Sequence, residues 1–395
     1  MFAPGDPVPT LYARGIGNPR YAFDSVAGRY VVVSFIASSR VPGVDAFLQQ
    51  LYSAAGPFDD SFASIFLVSS DPQDEADKRL VDRYPGIRIF WDHDGALART
   101  FGCLGEDGQR LSLTSWILDP ALRVLAVLPI EDPATHHARL CAELAPLANP
   151  AQDMQSAAPV LQIPNLLEPE LCRDYIAYCE ASGPQDSGYM KTDPASGNTI
   201  MVVDHSHKRR SDCLIEDDAL RNALQARIMR RLVPQIQRAF QFQVTRMERY
   251  LIARYDADSG GYFRPHKDNT TLGTAHRRFA VSINLNAGDY DGGDLRFPEF
   301  GMRTYRPPTG GAVVFSCSLL HEATPVTRGS RYCILPFLYD EAAAAIRLEN
   351  AQYLADAELR KNVVASVMAR PKRKAAPGRA GAVRAASGKR TAKQR

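Results

Sequence analysis

The run Tyr30-Val-Val-Val-Ser-Phe-Ile36 shows no alternation of polar and apolar residues. A strand that is apolar on both faces has to be covered on both, so the segment that holds it must fold in layers. Its neighbours supply them. Residues 44–55 carry helical spacing, Ile65-Phe-Leu-Val68 is a second strand of the same buried type, and residues 72–84 read as a polar amphipathic helix. Asp71 suits its N-cap, where a carboxylate accepts a free backbone N–H, and Pro72 suits the first helical position, where no N–H is needed. There follow a strand at Ile87-Arg-Ile-Phe-Trp91, a short helix over 96–101, two strands at 115–118 and 123–128 around an Asp119-Pro120 turn, and a helix over 134–147. That order predicts an α/β sandwich for residues 1–150, closed by a hairpin and a helix. His136 and His137 read as surface positions on the last helix.

Asn149-Pro-Ala-Gln-Asp-Met-Gln-Ser-Ala-Ala-Pro159 has no periodicity and the composition of a linker, which is placed at 151–159. Beyond it, residues 168–181 and 217–240 look helical, with Pro234 expected to kink or end the second helix. From Arg246 the pattern turns to short strands, at 246–255, 278–286, 294–297, 311–316 and 332–339, separated by Gly, Pro and Asp clusters. Helices followed by many short strands predict helices packed on an antiparallel sheet or barrel over 160–345.

The formal charge of +3 hides a division. Twelve of the 47 basic residues, and none of the 44 acidic ones, lie after Leu359, so residues 1–359 carry 35 basic against 44 acidic groups, or −9. Residues 346–395 are read as a helix end and a disordered basic tail, a candidate to grip nucleic acid or another polyanion, the alternative being a solvated tail. The longest apolar stretch, from Val31 to Ala37, is far shorter than the ~18 residues of a membrane span, so no membrane partner is expected. Met1-Phe-Ala-Pro-Gly-Asp-Pro7 has neither a basic nor an apolar leader region, and a cytoplasmic protein is the expectation. Seven cysteines without a C-x-x-C pair argue against a disulfide framework and a thiolate zinc site.

Phe263-Arg-Pro-His266-Lys-Asp268 sets an imidazole and a carboxylate two residues apart on extended chain, where both point to one side. His321 follows the apolar strand Ala312-Val-Val-Phe-Ser316. Two His and one carboxylate with open coordination positions form the facial triad of non-haem Fe(II) oxygenases. An isolated H-x-D is common by chance, and the surrounding text decides. Tyr255-Asp-Ala-Asp-Ser-Gly-Gly-Tyr-Phe-Arg-Pro-His266-Lys-Asp268, Arg278-Phe-Ala-Val-Ser-Ile-Asn-Leu-Asn286, Gly292-Gly-Asp-Leu-Arg-Phe-Pro298, Pro308-Thr-Gly-Gly-Ala-Val-Val-Phe-Ser316 and His321-Glu-Ala-Thr-Pro-Val-Thr-Arg-Gly-Ser-Arg331 occur in that order. Over residues 160–340 the chain resembles the Fe(II)- and 2-oxoglutarate-dependent dioxygenases of the prolyl 4-hydroxylase type.

The resemblance implies a double-stranded β-helix, or jelly roll, of α+β class. It implies His266, Asp268 and His321 as catalytic iron ligands, Arg331 pairing with the C5 carboxylate of 2-oxoglutarate, and Tyr255 contacting the same cosubstrate through its hydroxyl. Fe(II), 2-oxoglutarate and O2 are the implied cofactor and cosubstrates, with L-ascorbate as the reductant that keeps iron ferrous. The implied reaction couples oxidative decarboxylation of 2-oxoglutarate to hydroxylation of a prolyl or other protein residue, or of a small molecule. Many relatives carry a tyrosine facing the cosubstrate in the strand where this chain has Ser282-Ile-Asn-Leu-Asn286, and Asn284 is the candidate to replace it. Thr324 and Ser282 are further candidates to line the pocket.

The first segment resembles the thioredoxin-like fold of the peroxiredoxin and thiol-specific antioxidant group, through Ala3-Pro-Gly-Asp-Pro-Val-Pro9, the strand from Tyr30, Phe90-Trp-Asp-His-Asp-Gly-Ala-Leu-Ala-Arg-Thr-Phe-Gly102 and Ser115-Trp-Ile-Leu-Asp-Pro120. Working members place a peroxidatic cysteine after the first core strand. Here that loop reads Ala37-Ser-Ser-Arg-Val-Pro-Gly43, and a serine cannot reduce a peroxide. The domain is therefore expected to bind, scaffold or form a homodimer. Cys103 is read as a small buried residue, and His205-Ser-His207-Lys-Arg-Arg210 as a solvated polar loop with Arg209 or Arg210 near the substrate entrance. The alternative to the enzyme is a non-catalytic interaction protein with a nucleic-acid-binding tail, and the complete set of His266, Asp268, His321 and Arg331 argues against it.

Overall fold

The computed structural model describes residues 1–53, 56–105, 111–148 and 157–368. Most of the expected linker, and the whole of the tail beyond Met368, lie outside these residues.

The first unit is built from β1 (Tyr12–Gly15), β2 (Tyr21–Ala22), β3 (Tyr30–Ala37), α1 (Val44–Ser53), β4 (Ala63–Ser69), α2 (Pro72–Ala76), β5 (Ile87–Trp91), α3 (Ala96–Phe101), β6 (Thr114–Leu118), β7 (Val124–Pro129) and α4 (Pro133–Leu144). One sheet runs in the order β2-β1-β5-β4-β3-β6-β7, with β3, β4 and β5 parallel and the other pairs antiparallel. Both faces of β3 are buried, as its unbroken apolar run requires. Val31, Val33 and Phe35 pack with Phe23, Trp116 and α3, while Val32 and Ile36 pack with Phe47 of α1 and Leu140 of α4.

Two expectations fail here. The helix expected over 72–84 stops at Ala76, although Asp71 caps it as predicted by accepting the Gln73 N–H. Asp74 is drawn inward, accepting Ser39 N–H, Ser39 Oγ–H and Ser69 Oγ–H, and Lys78 turns left-handed at φ 53° as Arg79 folds back onto that carboxylate at 3.2 Å. His136 and His137 are buried, not on the surface. His136 lies one turn before Leu140 on the apolar stripe of α4, and its Nε2 meets Ser115 Oγ at 2.8 Å.

The second unit contains β8 (Leu161–Ile163), α5 (Pro169–Ser182), β9 (Gln185–Asp186), β10 (Tyr189–Thr192), β11 (Thr199–Val202), β12 (Lys208–Arg209), β13 (Ser211–Leu214), α6 (Asp218–Arg227), α7 (Val233–Phe240), β14 (Arg246–Glu248), β15 (Leu251–Asp256) and β16 (Tyr262–His266). It continues with β17 (Phe279–Asn284), β18 (Asp291–Gly292), β19 (Leu295–Arg296), β20 (Thr304–Tyr305), β21 (Ala312–Ser316), β22 (His321–Ala323), β23 (Val326–Arg328), β24 (Ser330–Ile334), β25 (Phe337–Tyr339), α8 (Glu341–Glu349) and α9 (Ala357–Met368). The main sheet has the order β14-β25-β17-β24-β15-β13-β9, with β21 and then β8 added beside β17. A second sheet, β12-β16-β22-β19-β20, faces it to make the jelly roll.

Alternation along the strands sorts the two sides of the main sheet. Ile252, Ile283, Ile334 and Leu338 point outward onto Tyr175 of α5, Leu224 of α6 and Ile236 of α7. The residues between them, among them Tyr255, Ser282 and Arg331, line the inner cavity. Pro234 is accommodated, not helix-ending: a π-turn at Ile228–Leu232 precedes it, and α7 carries it in its first turn. The strand expected over 246–255 breaks at Arg249, which takes a left-handed φ of 66°. Past residue 345 the chain still packs, with Leu359 and Val363 of α9 reaching the cavity wall.

Candidate metal centre and cosubstrate pocket

β16 and β22 are antiparallel neighbours, and their register sets His266 opposite His321. Directly opposed residues on a sheet hold their side chains side by side, and the two imidazole centroids lie 4.3 Å apart. Asp268 follows two residues after His266 and is held by its own N–H, which donates to the Cys317 carbonyl at 3.0 Å. Its Oδ2 lies 3.3 Å from His321 Nε2 and its Oδ1 lies 3.8 Å from His266 Nε2. All three potential ligand atoms fall within 4.8 Å of one another.

The tautomers suit a metal. His266 Nδ1 lies 2.8 Å from the Arg264 carbonyl and His321 Nδ1 lies 3.0 Å from the Leu319 carbonyl. A carbonyl only accepts, so each Nδ1 carries a proton, and Nε2 is the ring nitrogen that each histidine can offer a metal. Burial, followed by the neighbouring His321, holds His266 neutral well below the usual imidazole range. Burial works against the Asp268 charge, but His321, His266 and Arg277 outweigh it and keep the carboxylate well below its ordinary value. Two imidazoles and one carboxylate are the donor set a divalent iron takes.

Arg331 comes from the facing sheet. Its register partner is Tyr255, and its guanidinium lies 5.3 Å from the Tyr255 ring centroid. It is 4% exposed; Nη2 donates to Ser282 Oγ at 2.9 Å, and Nε meets no hydrogen-bond partner among the described residues. A buried guanidinium with a free donor and no carboxylate beside it fits the distal carboxylate of a diacid. Ser282 thus lines the pocket as expected. Thr324 does not, because its Oγ1 is turned away to accept the Asp294 N–H. Asn284, the candidate to replace the tyrosine absent from β17, does not line the cavity: its amide is turned away, donating to the Tyr290 hydroxyl at 2.9 Å and the Pro307 carbonyl at 3.0 Å.

Lys208 and Arg210 correct the reading of residues 205–210 as a solvated loop. Both are buried in the cavity wall. Lys208 Nζ donates to Ser187 Oγ and to the Gly188 carbonyl at 2.7 and 2.5 Å, and burial, then Arg210, pushes its ammonium down to about 6. Arg210 pairs with Asp212 at 2.6 Å, and its guanidinium lies 5.8 Å from the Tyr255 ring centroid. The signal was present: Lys208, Arg210 and Asp212 alternate, and on extended chain such residues share a face. Arg209, in contrast, is exposed and donates to the Ser259 carbonyl.

Among the described residues of the first unit, no thiol stands in the corresponding loop. Ser38 and Ser39, in the loop where a peroxidatic cysteine would stand, are tied to Asp71 and Asp74. Cys103 is buried, donates to the Ala98 carbonyl, and is pushed by burial up to about 12, as an inert thiol should be.

A two-sheet roll with a His–Asp–His cluster on one sheet and an Arg–Tyr pair on the other, joined to a thioredoxin-like unit, defines the class. Residues 250–339 match the 2OG-Fe(II) oxygenase superfamily and residues 4–127 the AhpC/TSA family. The chain therefore joins a 2OG-Fe(II) oxygenase domain to an AhpC/TSA domain. Among curated proteins it is similar to the multifunctional procollagen lysine hydroxylase and glycosyltransferase of Rattus norvegicus, 33% identical over 96 residues, covering 24% of this chain and 12% of the relative. A PKHD-type hydroxylase of Synechococcus sp. (strain JA-2-3B'a(2-13)) is 31% identical over 94 residues, covering 22% and 41%. The chain thus spans less than half the length of these relatives. Among solved structures, a prolyl hydroxylase from Trichoplax adhaerens aligns with 20% identity and a TM-score of 0.39, covering 48% of this chain and 87% of that one.

Proposed function

We propose that this protein is an Fe(II)- and 2-oxoglutarate-dependent hydroxylase acting on a prolyl or other residue of a polypeptide. The observation that carries the reading is the convergence of three free donors, His266 Nε2, Asp268 and His321 Nε2, on one cavity that also holds Arg331 and Tyr255. His266, Asp268 and His321 would hold the iron, which supplies the oxidising chemistry when bound. The rest falls to the chain. Arg331 would take the distal carboxylate of 2-oxoglutarate, Tyr255 would flank it, and Phe263, stacked 3.5 Å from the His266 ring, keeps water from one side of the triad. The cavity encloses about 1140 Å³, far more than a five-carbon diacid fills, which leaves space for a side chain of a larger acceptor. Ascorbate as reductant and a cytoplasmic setting belong to the same proposal; no helix among the described residues is long and apolar enough to cross a membrane.

The test is succinate release by the purified protein supplied with Fe(II), 2-oxoglutarate and ascorbate, against His321→Ala. The reading requires succinate from the wild type and none from the variant. Iron bound by the wild type with no turnover on any candidate acceptor overturns it.

A further inference from the structure

The AhpC/TSA domain lacks its thiol, yet it touches the oxygenase at the points that matter most for the triad. Lys267 stands between His266 and Asp268, and its Nζ reaches across to Asp24 of the first domain at 2.9 Å. Both side chains are largely shielded, 12% and 17% exposed, so the pair is not a screened surface contact. Leu320 precedes His321, and its side chain is fully buried in the first domain's core, in the cluster of Phe23, Phe101 and Trp116. Each histidine ligand therefore has a sequence neighbour anchored in the other domain.

A third element connects the two anchors. Glu299, on the turn Pro298–Phe300, accepts the Leu320 N–H on Oε2 at 3.0 Å and feels the charge of Lys267. Pro298 of the same turn abuts Gly28, where a Cβ would stand 2.3 Å from the Pro298 Cβ and the backbone is left-handed at φ 93°. Only glycine permits so close an approach. The cavity that holds the triad is also lined by Tyr12, Asn18, Arg20 and Tyr21 of the first domain, with the Arg20 guanidinium 3.9 Å from the Tyr12 ring centroid. An acceptor reaching the metal from that side meets the first domain on its way in.

We propose that the cysteine-less AhpC/TSA domain is a fixed part of the oxygenase active site: Asp24, through Lys267, and the first domain's core, through Leu320, position the metal-binding triad, and its 12–25 segment walls the acceptor path. Asp24, Lys267 and Leu320 are positioning residues, since none offers an atom to the metal. This inference rests on the reading of His266, Asp268 and His321 as metal ligands. It accounts for a thioredoxin-like domain that keeps its packing after losing its chemistry.

The experiment measures Mn(II) binding to the full chain by calorimetry, with amide hydrogen exchange of the metal-free protein as a second readout. Asp24→Asn keeps the shape and removes the charge that orients Lys267. Asp24 touches no ligand directly, so the expected loss in metal affinity is about tenfold, the low end of what removal of a ligand's own hydrogen-bond partner causes, and exchange should quicken at the Asp268 amide and through residues 262–268. Asp24→Glu should restore most of the affinity, which a merely packing role would not do. Arg123→Ala, which removes an exposed guanidinium from its pair with Asp119 in the first domain, serves as the control and should change neither readout. Wild-type Mn(II) affinity and exchange in Asp24→Asn overturn the inference, whereas failure of the wild type itself to bind Mn(II) overturns the reading of the triad.

Discussion

Arg331→Met removes the guanidinium while keeping the length and apolar bulk of the side chain. In the structure the group is nearly sealed from solvent, with one donor on Ser282 and Nε without a partner among the described residues. A carboxylate placed against it gains two charge-assisted hydrogen bonds, each contributing about 1.5–3 kcal/mol. In the variant the same carboxylate enters a dry pocket with its partner gone, and the loss is about 3–5 kcal/mol. That corresponds to a dissociation constant for 2-oxoglutarate raised by roughly a few hundred- to a few thousand-fold. Arg331→Lys keeps the charge but not the planar fork, and should lose about tenfold, one hydrogen bond's share. Calorimetric titration of 2-oxoglutarate into Mn(II)-loaded protein measures both. Metal affinity measured beforehand should be unchanged, since Arg331 stands on the sheet opposite the triad. Wild-type 2-oxoglutarate affinity in Arg331→Met would refute the assignment.

Two further outcomes follow from buried polar groups in the first domain. His136 is pushed by burial, then by Arg139 and His137, down to about 4, against about 6.5 when unfolded. A base with a depressed folded pKa contributes stability above the unfolded value and loses it as pH falls toward the folded one. Between pH ~6.5 and ~4 the domain should lose up to about 3 kcal/mol from this group. His136→Gln does not titrate there, so its melting temperature should fall less steeply with acid; parallel curves for the two proteins would contradict the account. Ser39→Cys should not restore peroxide reduction. Its sulfur would sit where Ser39 Oγ now lies 2.5 Å from the buried Asp74 carboxylate, which opposes thiolate formation despite Arg79 nearby. Rapid hydroperoxide consumption by that variant, with a thiol reductant present, would show the carboxylate does not govern the site.

The parts of the molecule legible in the sequence are those where a short segment decides its own environment. β3 could only be a buried central strand, and the spacing from His266 to Asp268 dictates a shared face on extended chain. Lys208 and Arg210 were misread because their desolvation comes from Ser187, Gly188 and Asp212, which reach them only when β12, β13 and β16 assemble. His136 was misread by charge type when its spacing to Leu140 and Leu144 placed it on the buried stripe. The helix over 72–84 failed because propensity lost to the buried Asp74 network. The anchoring of Lys267 and Leu320 in the first domain left no local trace, since Lys267 lies 243 residues from Asp24 and Leu320 packs on Phe23, Phe101 and Trp116 from the other domain.

The most direct measurement is the isotopic content of succinate formed under oxygen-18 gas. Oxidative decarboxylation by O2 delivers one of its atoms to the new carboxylate, whereas decarboxylation by unlabelled peroxide already in the solution delivers unlabelled oxygen. With Fe(II), 2-oxoglutarate and ascorbate, the wild type should form succinate carrying one heavy oxygen, and Asp268→Ala, which strips the only carboxylate from the triad, should form none. Unlabelled succinate from the wild type, or equal labelled succinate from Asp268→Ala, would contradict the assignment of His266, Asp268 and His321 as the centre that activates O2.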